Sequence, residues 1–140
     1  MSGFVIDASV VVGLFVKESH SAECIKFFDK LSEVDTHFLA PDALYYEVAA
    51  TLRKLELRGL FDSVDSALNQ TFAFGLSITA SKDLMQDAAR ISRENLISPY
   101  DSFYLALARR ESVPLITADE RLVGGTQGKG FDVRSIANVD

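Results

Sequence analysis

The chain has 140 residues, 20 acidic against 14 basic side chains, and a formal charge of −6. Its length suits one domain over residues 1–140, and its 48% hydrophobic content excludes a disordered chain. The single cysteine, Cys24, excludes an internal disulfide or a thiolate zinc cluster, and the net charge excludes a nucleic-acid binder unless carboxylates are gathered around cations.

In chain order, Phe4–Ile6 is short, apolar and bounded by polar residues, which predicts a buried strand. Ala8–Val16 reads two ways. Its run Val10–Val12 favours a strand, while a segment apolar all round suits a buried helix. It is also the longest apolar stretch, far short of the ~20 residues that span a bilayer. No positive segment precedes it, so it is a poor signal peptide, and the expected setting is the cytoplasm with no membrane contact. Ser19–Glu33 has helical spacing, with Ala22, Ile25, Phe28 and Leu31 on one face. His37–Ala40 predicts a second strand. Asp42–Arg58 predicts a helix through Leu44, Val48, Leu52 and Leu55. Leu76–Ile78 predicts a third strand, Ser81–Asn95 a helix through Leu84, Ala88 and Ile91, and Ser98–Arg110 a helix through Tyr100, Tyr104 and Leu107. Val113–Ile116 and Phe131–Val133 complete the buried strands, with a loop over Gly124–Gly130 between them. Short strands alternating with helices imply a parallel sheet covered on both faces. In such sheets ligands bind beyond the carboxyl ends of the strands, near a topological switch point.

The polar residues that follow the strands are therefore the candidates for chemistry. Asp7 follows Phe4-Val5-Ile6, and Asp119 follows Leu115-Ile116-Thr117. Asp101 falls in the first turn of the helix begun by Ser98-Pro99, and Glu47 lies inside an apolar helix. Each has an ordinary structural reading. Asp7 can cap a following helix, Ser98 to Asp101 fits a capping box, and Thr117 to Glu120 fits the same pattern. Glu47 is either exposed or a buried acid in need of a partner. Together the four can meet in one cleft. Carboxylates ~4 Å apart repel by about 4 kcal/mol at an effective dielectric near 20, so such a cluster calls for a cation. The nearest basic residue is Arg121. An all-oxygen donor set suits Mg²⁺ or Mn²⁺ rather than zinc, and His20 and His37 read as surface residues. Ser9 and Thr117 place hydroxyls two residues from Asp7 and Asp119, able to orient those carboxylates or to cap helices.

The pattern Phe4-Val5-Ile6-Asp7-Ala8-Ser9, a mid-helix Glu47 after Pro41-Asp42, Tyr100-Asp101-Ser102-Phe103-Tyr104-Leu105-Ala106-Leu107-Ala108, and Leu115-Ile116-Thr117-Ala118-Asp119-Glu120-Arg121-Leu122 resembles a PIN domain. It is most similar to the small VapC-type ribonuclease toxins, over nearly the whole chain and in the right order. The resemblance implies a three-layer α/β/α sandwich around a mostly parallel sheet of about five strands. It implies a divalent-metal-dependent endoribonuclease, using one or two Mg²⁺ or Mn²⁺ ions and leaving a 5′-phosphate on the cut RNA. Asp7, Glu47, Asp101 and Asp119 match the four family acids, as catalytic residues and metal ligands. Ser9 and Thr117 match the polar residues beside the first and last acids. The family's habits also imply a homodimer silenced by a small antitoxin protein.

Other features carry less. Gly124-Gly125-Thr126-Gln127-Gly128-Lys129-Gly130 fails as a phosphate loop, because Val123 stands five before Gly128 and Gly130 follows the lysine. Lys129 remains a candidate for an RNA backbone. Phe27, Phe28, Tyr100, Phe103 and Tyr104 read as core aromatics. Arg53, Lys54, Arg58, Arg109 and Arg110 suit helix ends or phosphate steering. The competing readings are a non-catalytic PIN-fold binding module and, more remotely, a phosphotransfer domain, which would want a second acid beside Asp7.

Overall fold

The computed structural model describes residues 2–139. Strands β1 (Ser2–Ile6), β2 (Thr36–Pro41), β3 (Ser77–Thr79), β4 (Leu115–Thr117) and β5 (Val133–Ser135) form one sheet in the order β3-β2-β1-β4-β5. All four pairings are parallel. The middle strands carry continuous apolar runs because both their faces are covered. Val5, Ile6, Leu115 and Ile116 are fully buried. The outer strands differ from the expectation of buried strands. Ser77 and Ile78 of β3 are exposed, since an edge strand has a neighbour on one side only, and β5 is buried only at Ser135 and begins at Val133 rather than Phe131.

Helix α1 (Ala8–Phe15) settles the ambiguous apolar segment. Asp7 caps it by accepting from the Ser9 amide, and Ala8, Val10, Val11, Val12 and Gly13 are all buried. An all-round apolar segment of this length is accommodated as a helix inside the protein. Helix α2 (Ser21–Phe28) passes into a 3₁₀ turn at Asp29–Ser32. Its buried face differs from the one expected. Cys24 and Phe27 point inward, while Ala22 is exposed and Ile25 is 53% exposed. Two partners set that phase. Gly13 of α1 leaves room for the Cys24 sulfur, and Phe27 stacks on Phe38 of β2 with ring centroids 4.9 Å apart.

Helix α3 (Ala43–Leu57) buries Leu44, Val48 and Leu52 as expected. Helix α4 (Val64–Phe72) has no counterpart among the expected elements. Its buried positions are Ala67 and Thr71, too small and too polar to make an apolar stripe, and Thr71 Oγ1 satisfies itself on the Ala67 carbonyl at 2.8 Å. Helix α5 (Ser81–Asn95) has the expected bounds and buries Leu84, Ala88 and Ile91. Helix α6 (Pro99–Glu111) buries Tyr104 and Leu107, but Tyr100 is 63% exposed rather than core. Helix α7 (Glu120–Thr126) takes in Gly124 and Gly125, so the expected glycine loop starts only at Gln127.

Going from β1 to β2 to β3 the chain moves one way across the sheet. From β3 it returns past β1 to β4 and then β5. Right-handed crossovers then put α1 to α4 on one face and α5 to α7 on the other, which makes three layers. α1 packs on α2 and α3, and α5 packs on α6. The direction switches between β1 and β4, so the crevice lies beyond Ile6 and Thr117. No helix among the described residues is long and apolar enough to cross a membrane.

Candidate active site

The register of the two central strands determines what meets at that crevice. Val5 is level with Leu115 and Ile6 with Ile116, so Asp7 emerges beside Thr117. Asp7 is 6% exposed. Its Oδ1 accepts from the Ser9 amide at 3.1 Å and from Ser9 Oγ at 2.5 Å, and its Oδ2 accepts from Thr117 Oγ1 at 2.5 Å. The two hydroxyls, expected near one acid each, both serve Asp7. They are held in turn, since Ser9 Oγ accepts from the Ala118 amide at 2.9 Å and Thr117 Oγ1 from the Asp119 amide at 3.0 Å. Asp7 therefore fulfils the capping reading and stands at the crevice as well.

The turn after β4 departs from the expected capping pattern. Asp119, not Thr117, caps α7, with Oδ1 accepting from the Arg121 amide at 3.0 Å. The Thr117 hydroxyl is already turned onto Asp7. Glu120 reaches away from its own helix start, accepting from Ser135 Oγ at 2.5 Å and lying 3.6 Å from His20 Nε2. Asp101 sits where the sequence indicated. Pro99 is in the first turn of α6, and Ser98 Oγ accepts from the Asp101 amide at 3.1 Å.

Glu47 is half-buried on α3, and it has a partner. Tyr104 Oη, on α6, donates to Glu47 Oε1 at 2.9 Å. Tyr104 is fully buried and reads from sequence as a core aromatic, so its part in the site was missed. The available signal was its place one turn after Asp101, on the same helix face, facing an acid that needs a donor.

The four acids share one electrostatic environment. Burial pushes the Asp7 carboxyl up to about 7 against the hydrogen bonds from Ser9 and Thr117, and Asp101 and Glu47 push it further the same way. Burial also raises Glu47, with Asp101 adding and the Tyr104 bond opposing. Asp101 is raised by burial and by Asp119, and lowered by Ser98 and Arg121. The Tyr104 phenol is held well above 10 by burial, Glu47 and Asp7. Asp101 thus bears on both Asp7 and Glu47, and Asp119 on Asp101, while Arg121 Nε lies 3.5 Å from Asp119 Oδ1. Among the described residues no three His, Cys, Asp or Glu side chains stand close enough to hold one ion as they are. Glu47, Asp101 and Asp119 nevertheless fit a hard cation around Asp7 by chemistry. All donors are carboxylate oxygens, and a carboxyl raised by burial and, to a lesser extent, by neighbouring acids is relieved by positive charge.

Comparison with known proteins agrees with the fold. The family model of the PIN domain matches residues 4–124. A ribonuclease of Pyrobaculum aerophilum, VapC3, is 30% identical over 122 residues, which cover 84% of this chain and 90% of that protein. The crystal structure of PAE2754 from the same organism superposes with a TM-score of 0.68 at 20% identity, covering 99% of this chain and 93% of that one. A toxin–antitoxin complex from Klebsiella pneumoniae superposes with a TM-score of 0.68 at 15% identity, covering 94% and 96%.

Proposed function

Because the chain belongs to the PIN domain family, we propose that it is a divalent-metal-dependent endoribonuclease and the toxin of a toxin–antitoxin pair. The observation that carries the reading is the placement of Asp7 and Asp119 just beyond the two central strands at the switch point, with Asp7 held by Ser9 and Thr117 and Glu47 held by Tyr104. The name of the 30% identical relative, a ribonuclease, supports RNA as the substrate, and the Klebsiella pneumoniae complex supports an antitoxin as partner. The same reading makes residues 1–140 one nuclease domain, paired with a second copy and working in the cytoplasm.

Asp7 and Asp101 would be the primary ligands for one or two Mg²⁺ or Mn²⁺ ions, and Asp119 would share an ion or hold a water beside it. When bound, such an ion supplies positive charge that acidifies water and offsets the charge gathering on the phosphate. Ser9 and Thr117 fix the Asp7 carboxylate in one orientation by occupying a lone pair on each oxygen. Tyr104 anchors Glu47 through Oε1 and leaves Oε2 to ligate or to orient the attacking water. Water adds to phosphorus as the bond to the 3′ oxygen breaks, leaving a 5′-phosphate and a 3′-hydroxyl. Purified protein is expected to cut single-stranded RNA with Mg²⁺ or Mn²⁺ and to stop when EDTA is added. Asp101→Asn lowers the rate by roughly a hundredfold or more while the fold persists, checked by circular dichroism. Full activity in that variant defeats the assignment.

A second reading, a PIN-fold binding module without catalysis, draws on one observation: no three of the acids stand within reach of a common ion as they are. No cleavage of any RNA, together with a melting temperature indifferent to millimolar Mn²⁺, selects it.

A further inference from the structure

Asp101 and Asp119 also line a cleft of about 450 Å³ whose lining does not include Asp7. Leu96, Arg121, Gly125 and Lys129 line it as well. Two acids and two cations thus face one space. The cations are presented rather than spent. The Arg121 side chain is 93% exposed, and its 3.5 Å approach to Asp119 is a solvent-screened contact that holds it weakly. Lys129 stands between Gly128 and Gly130, whose φ values of +77° and +85° curl the chain back toward the end of α5. There Lys129 Nζ donates to the Asn95 carbonyl at 2.9 Å, which leaves two ammonium protons directed elsewhere. The glycine-rich segment that fails as a phosphate-loop motif therefore delivers a lysine to the cleft. Leu96 caps α5 in the left-handed region at φ +56°, where glycine is at home, and its side chain stands 93% exposed at the cleft's rim.

We infer that this cleft is the track for the RNA strand beside the cut, with Arg121 and Lys129 holding the neighbouring phosphate and Leu96 offering an apolar edge to its base. The inference rests on the ribonuclease reading of the four acids. Charge complementarity selects the occupant. A polyanion whose cut phosphate lies at the acids needs cations one step further along, and the cleft supplies two of them in a chain of net charge −6. The open wall at Gly125 adds to the fit, since a Cβ built there meets nothing within 4 Å.

The test uses the full chain. An Arg121→Ala/Lys129→Ala double variant raises KM for a single-stranded RNA about tenfold. In an Asp101→Asn background, where RNA binds uncut, the same pair of changes lowers the slope of log affinity against log salt by about 1.4, two phosphate contacts' worth on a single strand. Gly125→Glu, which adds a negative side chain where no atom is displaced, raises KM in the same direction. An unchanged KM and salt slope, with Asp101→Asn still abolishing cleavage, overturns the cleft assignment alone and gives the two cations to an acidic protein partner or to the surface. If Asp101→Asn cuts as well as the parent, the ribonuclease reading and the cleft assignment fall together.

Discussion

Asp7 stabilises and destabilises the protein at once. It caps α1 and receives two hydroxyls, yet burial among other acids holds its carboxyl at about 7 instead of its ordinary 3.8. The folded state therefore binds a proton that the unfolded state releases between those values, and stability falls as pH rises through that window. The difference of about 3 units corresponds to roughly 4 kcal/mol at the upper limit. In EDTA, thermal melts from pH 5 to pH 8 should show the parent losing stability more steeply than Asp7→Asn, which carries no charge to bury at that position and keeps only the smaller dependence from Glu47 and Asp101. A parallel decline in both proteins would place the pH dependence elsewhere. At this scale the sequence was informative where one residue's place in an element settles its surroundings. Asp7, Asp101 and Asp119 follow a strand or open a helix, and they were found at those places. Tyr104 was not legible, because its partner Glu47 is 57 residues away and on another helix. The destination of the Thr117 hydroxyl depends on β1 and β4 lying side by side, which no local pattern encodes.

Among the elements, the contact between α1 and α2 is the least forgiving. A Cβ at Gly13 would stand 2.6 Å from Cys24 Sγ and 3.2 Å from its Cβ, and Cys24 is fully buried. Gly13→Ala improves the intrinsic helix preference by roughly 1 kcal/mol but forces the two helices apart. Overpacking of this kind costs about 1–3 kcal/mol, so a net loss of stability is expected in urea titration, and Cys24→Ala in the same chain should recover part of it. A stabilised Gly13→Ala protein would show that the helices slide freely. The same contact explains why the inward face of α2 was misjudged. Helical spacing alone allows Ala22 and Ile25 to face inward, and only the notch at Gly13 and the ring of Phe38 select Cys24 and Phe27. Helix α5 was read correctly because Leu84, Ala88 and Ile91 leave a single apolar stripe. Helix α4 was invisible because Ala67 and Thr71 do the packing.

Over the whole molecule, parallel pairing and the reversal of strand order bring Asp7 and Asp119, which follow β1 and β4, to one edge of the sheet. The alternation of strands and helices was enough to foresee that edge, though not which outer strands would be exposed. A cation taken up there binds the folded chain and not the unfolded one, so it should stabilise the protein by about 2.7 kcal/mol at a hundred times its dissociation constant. Scanning calorimetry with Mn²⁺ should show a rise in melting temperature that EDTA reverses and that Asp101→Asn diminishes. No rise at millimolar Mn²⁺ in the parent would remove the ion from the account.

The hydrogen bond from Thr117 to Asp7 joins residues 110 positions apart. Ser9 lies two residues from Asp7 and can serve its Oδ1 as soon as α1 forms, whereas Oδ2 gains its donor only when β4 docks beside β1, so the final set of the first carboxylate waits on the last third of the chain.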